Sequence, residues 1–264
     1  MRIATWNVNS VTVRMGKMRE WLPAAAPDVV CLQELKATPE QFPTADFTAL
    51  GYECAVNADG RWNGVAILSR LGLSEVVSGL SGEPTYEGAT ERRAIGATCG
   101  GVRVWSVYVP NGREPGHPHY AYKLEWLDAL RATVAAELTA TRPYAVLGDF
   151  NVAPNDSDVW DVTAFEGLTH VTPQERAALA ELRALGLDDV VPRAMKYDTP
   201  FTYWDYRAGN FHKNLGMRID LVYANPAFVS AVTDAYVDRE ARKGSLKEGK
   251  GPSDHAPVVV DLDL

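Results

Sequence analysis

Two polar side chains with catalytic potential follow an apolar run near the middle of the chain. The run Tyr144-Ala145-Val146-Leu147 predicts a buried strand, and Gly148-Asp149-Phe150-Asn151 follows it directly. Side chains two positions apart on a strand share a face, so Asp149 and Asn151 can point at one ligand. Asp and Asn after a strand are more often simple turn formers. The functional interpretation of this pair therefore depends on which polar residues end the other strands.

Similar polar residues stand at the ends of other predicted strands. The groups that close a strand are Asn7 and Asn9 for residues 3–8, Glu34 for residues 29–33 and Tyr108 for residues 102–109. The groups that open one are Asp220 for residues 219–223, and Asp254 with His255 for residues 256–262. If all of them share one site, four strands run toward it and two run away. A doubly wound parallel sheet gathers its ligand groups at carboxyl ends alone, so this mixed polarity predicts packed mixed sheets with helices outside.

The elements that must position these groups are strands and helices interleaved along the chain. Further strands are predicted at residues 65–69, 96–98 and 144–147, and helices at residues 12–25, 120–139 and 173–185. Thr172 can cap the last helix, with Pro173 as its first residue. Residues 78–91 and 198–216 are predicted long loops. The sequence shows no repeat, low-complexity segment or linker, so we expect one domain spanning residues 1–264 with an α/β (α+β) fold.

The shared site would be rich in oxygen ligands. Its members bring four carboxylates, three amide oxygens and one imidazole, and oxygen donors suit Mg²⁺, with Mn²⁺ as a second possibility. Zinc prefers His and Cys, and the sequence has no H-x-x-x-H motif and no paired cysteines. Mg²⁺ takes only one or two carboxylates together with substrate phosphate oxygens. The set therefore favours phosphodiester hydrolysis, with Glu34 as a ligand and other carboxylates free for proton transfer.

The overall charge limits the kind of partner that the chain can bind. The net charge is −8, from 26 Lys and Arg against 34 Asp and Glu. Proteins with a long nucleic-acid footprint are commonly basic, so a nucleic-acid partner would need a local patch together with a metal ion. Residues 239–250, which include Arg242 and Lys243, form the most pronounced basic cluster. This cluster is compatible with a solvated loop or with contact to an anion.

Composition also sets expectations for the compartment. Cys31, Cys54 and Cys99 are odd in number, lack C-x-x-C spacing and have apolar or small neighbours, so we expect reduced, structural thiols. The sequence shows no signal-peptide pattern and no apolar run of membrane-spanning length. These observations predict an intracellular, cytoplasmic protein without a membrane partner.

Six segments, taken in order, resemble the motifs of a known family. They are Thr5-Trp6-Asn7-Val8-Asn9-Ser10, Leu32-Gln33-Glu34, Tyr108-Val109-Pro110-Asn111-Gly112-Arg113, Gly148-Asp149-Phe150-Asn151, Gly216-Met217-Arg218-Ile219-Asp220 and Ser253-Asp254-His255. Together they are similar to the motifs of the exonuclease III family of abasic-site (AP) endonucleases, within the endonuclease/exonuclease/phosphatase superfamily. The resemblance covers essentially the whole chain. It implies a four-layer sandwich of two mixed sheets flanked by helices, in agreement with the strand polarity.

The resemblance also implies a role for each member of the set. Glu34 would be the principal metal ligand, with Asn7, Asn9 and Asp254 nearby, although Asn7 can instead orient other groups. Asp149 would orient or deprotonate the attacking water, and Asn151 would hold a phosphate oxygen. His255 would stabilise the charge that grows on the phosphorus oxygens, with Asp220 fixing its tautomer. An ordinary Asp has a pKa of about 3.9, so Asp149 would need a raised pKa or a metal to act as a base.

Other residues are expected, on the same resemblance, to contact DNA. Tyr108 favours the repair branch of the superfamily, since enzymes similar to DNase I carry a histidine there. Asn111 and Arg113 would contact DNA near the lesion, and Tyr203, Met217 and Ile219 would line a pocket for an extruded sugar without its base. Trp204, Arg242 and Lys243 complete the expected DNA-binding set.

Two positions depart from the family pattern. Tyr203-Trp204 stands where bacterial members often have Trp then Phe, which alters the pocket wall and puts the balance of endonuclease against exonuclease activity in doubt. Leu35 replaces the usual Thr after Glu34, which removes a hydroxyl that could support the ligand.

The sequence thus predicts a monomeric, Mg²⁺-dependent hydrolase acting at the nucleoid. It would cut duplex DNA 5′ to abasic sites and remove nucleotides from 3′ ends. One alternative is another phosphodiesterase of the superfamily, acting on a phospholipid or inositol phosphate. The other is a nuclease-fold protein that binds DNA without cutting it, which would not need Glu34, Asp149, Asn151 and His255.

Overall fold

The computed structural model describes residues 1–60, 62–139, 141–244 and 251–264. The strands are β1 (Arg2–Asn7), β2 (Val29–Gln33), β3 (Glu53–Asn57), β4 (Val65–Ser69), β5 (Ser74–Ser78), β6 (Ala94–Cys99), β7 (Val102–Tyr108), β8 (Tyr144–Asp149), β9 (Asp188–Asp189), β10 (Arg193–Ala194), β11 (Asp220–Ala224), β12 (Val232–Val237) and β13 (Val258–Leu262). The helices are α1 (Val11–Ala25), α2 (Thr44–Ala49), α3 (Pro118–Glu137), α4 (Pro173–Ala184), α5 (Asn210–Lys213) and α6 (Pro226–Val229). Short 3₁₀ turns join several of these elements.

The strands form two mixed sheets that pack face to face. The first sheet has the order β10-β12-β13-β1-β2-β4-β3, and the second has the order β5-β6-β7-β8-β11-β9. Alternate residues of both sheets, such as Cys31, Ile67, Val104 and Leu147, form the core between them. The opposite faces are covered by helices, α1 and α2 on the first sheet and α3 and α4 on the second. The predicted four-layer sandwich is confirmed.

Each sheet contains a parallel pair of strands next to an antiparallel one. β1 and β2 are parallel, and β13 pairs antiparallel with β1. In the second sheet β7 and β8 are parallel, and β11 pairs antiparallel with β8. The registers place Tyr108 and Asp220 on either side of Asp149. The polarity inferred from the sequence, four strands approaching and two leaving, is therefore correct.

Most elements predicted from the sequence are present, and the missed elements are mainly edge strands and short helices. All eight predicted strands and the three predicted helices exist, with bounds that differ by a few residues. The capping box between Thr172 and Glu175 at the start of α4 is formed. The sequence missed β3, β5, β9, β10 and β12, as well as α2, α5 and α6. The edge strand β5 is exposed along its whole length, so it lacks the alternation of apolar residues that identifies a strand.

Two further expectations are limited by the part of the chain that the structure describes. Residues 245–250 of the basic cluster lie outside the described residues. Among the described helices, none combines the length and the apolar character that crossing a bilayer requires.

Candidate active site

The predicted site lies where β1, β2, β7 and β8 end. The chain passes close to itself here, because a Cβ on Gly148 would lie 1.9 Å from the carbonyl oxygen of Val107 on the neighbouring strand. Gly148 also has a φ of 154°. Only glycine fits this approach, which sets Asp149 at the very end of β8. Asn9, Glu34 and Asn151 all adopt positive φ values just beyond their strands, so the chain turns sharply at the site.

Asp149, Asp220 and His255 form the most deeply buried part of the site, which is called the proton side below. Nδ1 of His255 lies 2.8 Å from Oδ2 of Asp220, and its Nε2 lies 3.8 Å from Oδ2 of Asp149. The side chains of these three residues are at most 5% exposed. Asp220 is the histidine's partner, as predicted, and Asp254 points elsewhere. The contact with Asp220 directs Nε2 toward Asp149 and the substrate side.

The pKa values of Asp149 and His255 follow from their burial and from the charges close to them. Burial raises the pKa of Asp149 to about 7, and nearby Asp220 adds to the rise while His255 opposes it. Burial alone would lower the pKa of His255, but the Asp220 carboxylate outweighs it and raises this pKa to about 10. At neutral pH the imidazole is therefore a cation. Asp149 titrates close to the pH at which a general base is most effective.

Asn7 joins Asp149 to Glu34. Its Nδ2 donates to Oδ2 of Asp149 at 2.9 Å and to Oε2 of Glu34 at 3.0 Å, while its Oδ1 accepts from the backbone N–H of Asn9. Two carboxylates surround the amide nitrogen, which fixes the orientation of the amide. Asn7 thus orients the two carboxylates. This contact pattern favours the orienting role of Asn7, and its role as a metal ligand stays a prediction.

Glu34, Asn9 and Asp254 form a more open part of the site around Lys36. Nζ of Lys36 lies 2.8 Å from Oε1 of Glu34 and 2.8 Å from Oδ1 of Asn9. Nδ2 of Asn9 donates to Oδ1 of Asp254 at 3.0 Å. A single cation thus already occupies the space between the oxygen atoms of two predicted metal ligands. The sequence analysis missed Lys36, which stands two residues after Glu34.

The donor chemistry of this part fits a hard divalent cation. The described residues contain no closed cluster of three or more His, Cys, Asp or Glu side chains for a metal. One carboxylate from Glu34, an amide oxygen from Asn9 and a further carboxylate from Asp254 instead suit Mg²⁺, which keeps several waters. Leu35 is fully buried among core residues, so Glu34 is held by Asn7 and Lys36 rather than by its neighbour.

Asn151 is held by a buried network that the sequence analysis missed. Its Nδ2 donates to the carbonyl of Val109 at 3.0 Å, and its Oδ1 accepts from Nδ2 of Asn111 at 3.2 Å. Behind them, the fully buried ammonium of Lys123 on α3 donates to the backbone carbonyls of Asn151 (2.7 Å) and Asn111 (3.2 Å). Lys123 also pairs with the buried carboxylate of Glu175 on α4. The two helices thus fix the loops that carry both asparagines.

His170 and Tyr108 complete the rim on this side. Nε2 of His170 lies 3.5 Å from Nδ2 of Asn111, and burial lowers the pKa of His170 to about 3, so this ring is neutral. The guanidinium of Arg93 lies 4.7 Å from the centre of the Tyr108 ring. Burial and the Glu34 carboxylate raise the pKa of Tyr108, although Arg93 opposes the rise. The phenol therefore keeps its proton, and it can donate a hydrogen bond.

A small cavity of about 190 Å³ opens beside the histidine. Tyr203 and Met217 line it together with Trp160 and Phe165, and the ring of Tyr203 packs on His255 with centroids 4.9 Å apart. Gly216 also lines it, and a Cβ there would lie 2.5 Å from the indole nitrogen of Trp204. The sequence analysis missed Trp160 and Phe165, because neither belongs to a recognised motif.

Three residues predicted to contact DNA are buried behind the surface. Trp204 is 1% exposed and Ile219 is 2% exposed, so both support the wall from behind. Arg242 is 6% exposed, with its guanidinium 4.8 Å from the centre of the Tyr206 ring. The prediction of direct DNA contact is wrong for Trp204 and Ile219 in this structure, because core packing covers them, whereas contact by Arg242, which lines a cavity, stays a prediction. Arg113 and Lys243 are exposed, as expected.

The chain is similar in sequence and in fold to several known proteins. The sequence profile described as the Endonuclease/Exonuclease/phosphatase family matches residues 4–255. A solved 3′-5′ exonuclease, NExo from Neisseria meningitidis, is 38% identical with a TM-score of 0.91, and both chains are covered completely. An AP endonuclease from Archaeoglobus fulgidus is 33% identical with a TM-score of 0.90, again over all of both chains. An exodeoxyribonuclease of Bacillus subtilis is 28% identical over the whole of both chains.

The chain belongs to the endonuclease/exonuclease/phosphatase family. Within that family, the resemblance to the exonuclease III group is confirmed, and so is the prediction of a phosphodiester hydrolase of the DNA-repair type.

Proposed function

We propose that the protein is a Mg²⁺-dependent, monomeric nuclease that cuts duplex DNA 5′ to abasic sites and removes nucleotides from 3′ ends. The observation that carries this proposal is the chain of contacts Asp220, His255, Asp149, Asn7 and Glu34, which joins a proton acceptor to a metal ligand. A protein that only bound DNA would not need such an arrangement. The similarity to an exonuclease and to an AP endonuclease supports both activities.

Asp149 takes the proton of the attacking water. Oδ1 accepts from the backbone N–H of Asn151 at 2.9 Å and Oδ2 accepts from Asn7, so the carboxylate is fixed in orientation. Its pKa of about 7 keeps a large fraction ionised at neutral pH and makes it a stronger base than an ordinary Asp. Burial thus provides the raised pKa that the sequence could not establish.

His255 and Asn151 bind the phosphate that is attacked. The imidazolium, held by Asp220, carries a positive charge toward the side where the phosphorus oxygens gain negative charge. One N–H of the Asn151 amide donates to Val109, and an amide nitrogen has two, so the other is available for a phosphate oxygen. The phenol of Tyr108 supplies a further donor at the rim.

Glu34 would hold the metal, with Asn9 and Asp254 beside it and Lys36 displaced from its present contacts. The bound Mg²⁺ would polarise the phosphate and stabilise the leaving 3′ oxygen. No covalent nucleophile is then required from the protein.

The small cavity supports selection for a missing base. Its volume of about 190 Å³ is well below the ~300–1,000 Å³ of typical small-molecule pockets, so it suits a sugar ring rather than a whole nucleotide. Tyr203 and Met217 would contact the extruded sugar next to His255. A normal nucleotide would be excluded by its base.

A cleavage assay tests the proposal directly. The substrate is a duplex with one tetrahydrofuran abasic analogue, incubated with Mg²⁺ or with chelator, beside the same duplex without the lesion. We expect a metal-dependent cut 5′ to the analogue, and slower shortening from 3′ ends in the undamaged duplex. Absence of the metal-dependent cut would refute the endonuclease activity, and intact 3′ ends would refute the exonuclease activity.

A further inference from the structure

A second cavity, larger than the one beside His255, is not used by the proposed reaction. It has a volume of about 750 Å³, within the ~300–1,000 Å³ range of pockets that bind small molecules. Its wall comes from the loop before α5, from α5 itself and from the turn at Arg239–Arg242. Four lining residues are cationic, namely Lys196, Arg239, Arg242 and Lys243, against Asp205 as the single lining carboxylate. An excess of positive charge here is unusual in a chain of net charge −8.

Two of these cations are buried arginines without a close counter-ion. Arg239 and Arg242 are each 6% exposed, and among the described residues neither has a carboxylate within ion-pairing distance. The Nε atom of each is buried without a hydrogen-bond partner in that same part of the chain. Buried charges are normally paired, because an unpaired one loses its hydration without compensation. Each guanidinium is only partly satisfied, because Arg239 donates to the carbonyl of Phe211 at 2.6 Å and Arg242 to the carbonyl of Trp204 at 3.2 Å. The two groups therefore leave capacity for an anion.

Other buried arginines of this protein show what the ordinary arrangement is. Arg218, 1% exposed, makes ion pairs with Asp158 and Asp189 at 2.7 and 2.9 Å. Arg103, 2% exposed, pairs with Glu137 at 3.0 Å. Arg14, 7% exposed, is like Arg239 and Arg242 in having no ion pair among the described residues, but one of its guanidinium nitrogens donates to the hydroxyl of Tyr206 at 3.0 Å. Of these three arginines, Arg239 and Arg242 line the large cavity.

Aromatic rings surround the two guanidinium groups. The guanidinium carbon of Arg239 lies 3.8 Å from the centre of the Phe211 ring and 4.9 Å from that of Tyr197. Arg242 lies 4.8 Å from the centre of the Tyr206 ring. Tyr197 is 46% exposed, so one aromatic platform is open to solvent. Cations interleaved with aromatic rings are the usual surface for an unpaired nucleotide, whose phosphate and base they bind separately.

The cavity lies next to the small one beside His255. Asp205 and Asn210 line both, so they form the wall between the two spaces. A DNA strand with its sugar in the small cavity would therefore have a neighbouring nucleotide within reach of the large one.

We propose that the large cavity binds an unpaired nucleotide of the DNA strand that is held in the active site. The phosphate lies against Arg239 and Arg242, and the base stacks on Tyr197. This inference rests on the proposed action on DNA, and it adds a second contact that favours strands with frayed or displaced nucleotides next to the cutting point.

The test measures binding in chelator, so that cleavage plays no part. The probes are a 5′-phosphorylated thymidine trinucleotide, thymidine monophosphate and inorganic phosphate, titrated by calorimetry into wild-type protein and into Arg239→Met. We expect the trinucleotide to bind more tightly than either small probe, and to bind about tenfold more weakly to Arg239→Met, since one stacked or cationic contact is on this scale. Arg193→Met is the matched control, because Arg193 also lies over a tyrosine ring but is exposed and paired with Asp234.

Exposed positions and a photo-crosslink keep the proposal testable if Arg239→Met does not fold. Lys196→Ala with Tyr197→Ala changes exposed residues at the cavity, and we expect it to weaken trinucleotide binding several-fold. A 4-thiothymidine trinucleotide should crosslink to Tyr197, Tyr206 or His212.

Three outcomes would each overturn the proposal. They are unchanged trinucleotide affinity in both folded variants, crosslinks confined to other residues, and thymidine monophosphate that binds as tightly as the trinucleotide. An inactive enzyme in the abasic-site assay that still passes these binding tests would refute the proposed cleavage alone.

Discussion

The two halves of the active site differ in how far the fold has already arranged them. On the proton side, the side chains of Asp149, Asp220 and His255 are at most 5% exposed and contact one another directly. On the metal side, the side chains of Glu34 and Lys36 are 16% and 26% exposed, and an ammonium lies among the predicted ligand oxygens. Asn7 connects the halves through one amide nitrogen.

This difference indicates a division of labour. Asp149, the proposed base, and His255 are held by strands β8 and β11 and by burial, so their pKa values are properties of the folded chain. On the proposed function the metal side would rearrange when an ion binds, because Lys36 would give up its contacts with Glu34 and Asn9. Changes on the proton side should therefore alter the rate of the chemical step, and changes on the metal side should alter the metal requirement.

The largest expected loss of stability comes from replacing Lys123, which anchors the loop of Asn151 next to the proton side. Lys123→Met leaves Glu175 buried without its partner, and breaking such a pair commonly costs about 3–5 kcal/mol. Urea unfolding should show this loss, together with slower cleavage because the Asn151 loop loses its anchor. Arg131→Met, which breaks an exposed pair on the same helix, should change the free energy of unfolding by well under about 1 kcal/mol. Equal effects of the two changes would contradict a specially fixed proton side.

Glu34→Gln should affect the metal side alone. Losing this carboxylate should weaken Mn²⁺ binding, measured by electron paramagnetic resonance, by about 10–100-fold or more, since even supporting contacts have effects on that scale. Glu20→Gln, an exposed change on α1, is the control. Unchanged Mn²⁺ affinity would remove Glu34 from the proposed ligands.

The raised pKa of Asp149 predicts a stability change that depends on pH. Because its pKa rises from 3.8 to about 7 on folding, the carboxyl group favours the folded state below pH 3.8, and this contribution is lost as pH rises through 7. Asp149→Asn should therefore be more stable than wild type by roughly 1–3 kcal/mol at pH 8.5 and not at pH 3.5. Thermal or urea unfolding at both values measures this, and a gain independent of pH would contradict the assigned pKa.

The smallest expected effect belongs to Lys36. Its ammonium competes with a metal for Glu34 at a partly exposed position, so Lys36→Met should lower the Mg²⁺ concentration for half-maximal cleavage by only about threefold. A Mg²⁺ titration of the cleavage rate measures this midpoint. A higher midpoint in the variant would show that Lys36 assists metal binding rather than competing with it.

The sequence identified site residues best where a polar side chain stands directly at the end of a predicted strand. Asp149, Asp220 and Glu34 each adjoin an apolar run, so each could be placed at a strand end, and their shared chemistry together with the family resemblance predicted that they converge. Lys123 and Glu175 are 52 residues apart and meet only because α3 packs against α4, which no local pattern encodes. The burial of Arg242 could not be predicted for the same reason, since Tyr206 and Phe211, which pack against it, are distant in the sequence.

The most direct test of the account is the single-turnover rate of cleavage at a tetrahydrofuran site, measured against Mg²⁺ concentration for wild type, Asp149→Asn and Glu34→Gln. We predict that Asp149→Asn lowers the plateau by about 10²–10⁴-fold, the usual worth of a general base, with an unchanged midpoint and lesion affinity. Glu34→Gln should move the midpoint to higher Mg²⁺. Near-normal cleavage by Asp149→Asn, or a shift of its midpoint with the plateau preserved, would contradict the assignment of Asp149 as the base.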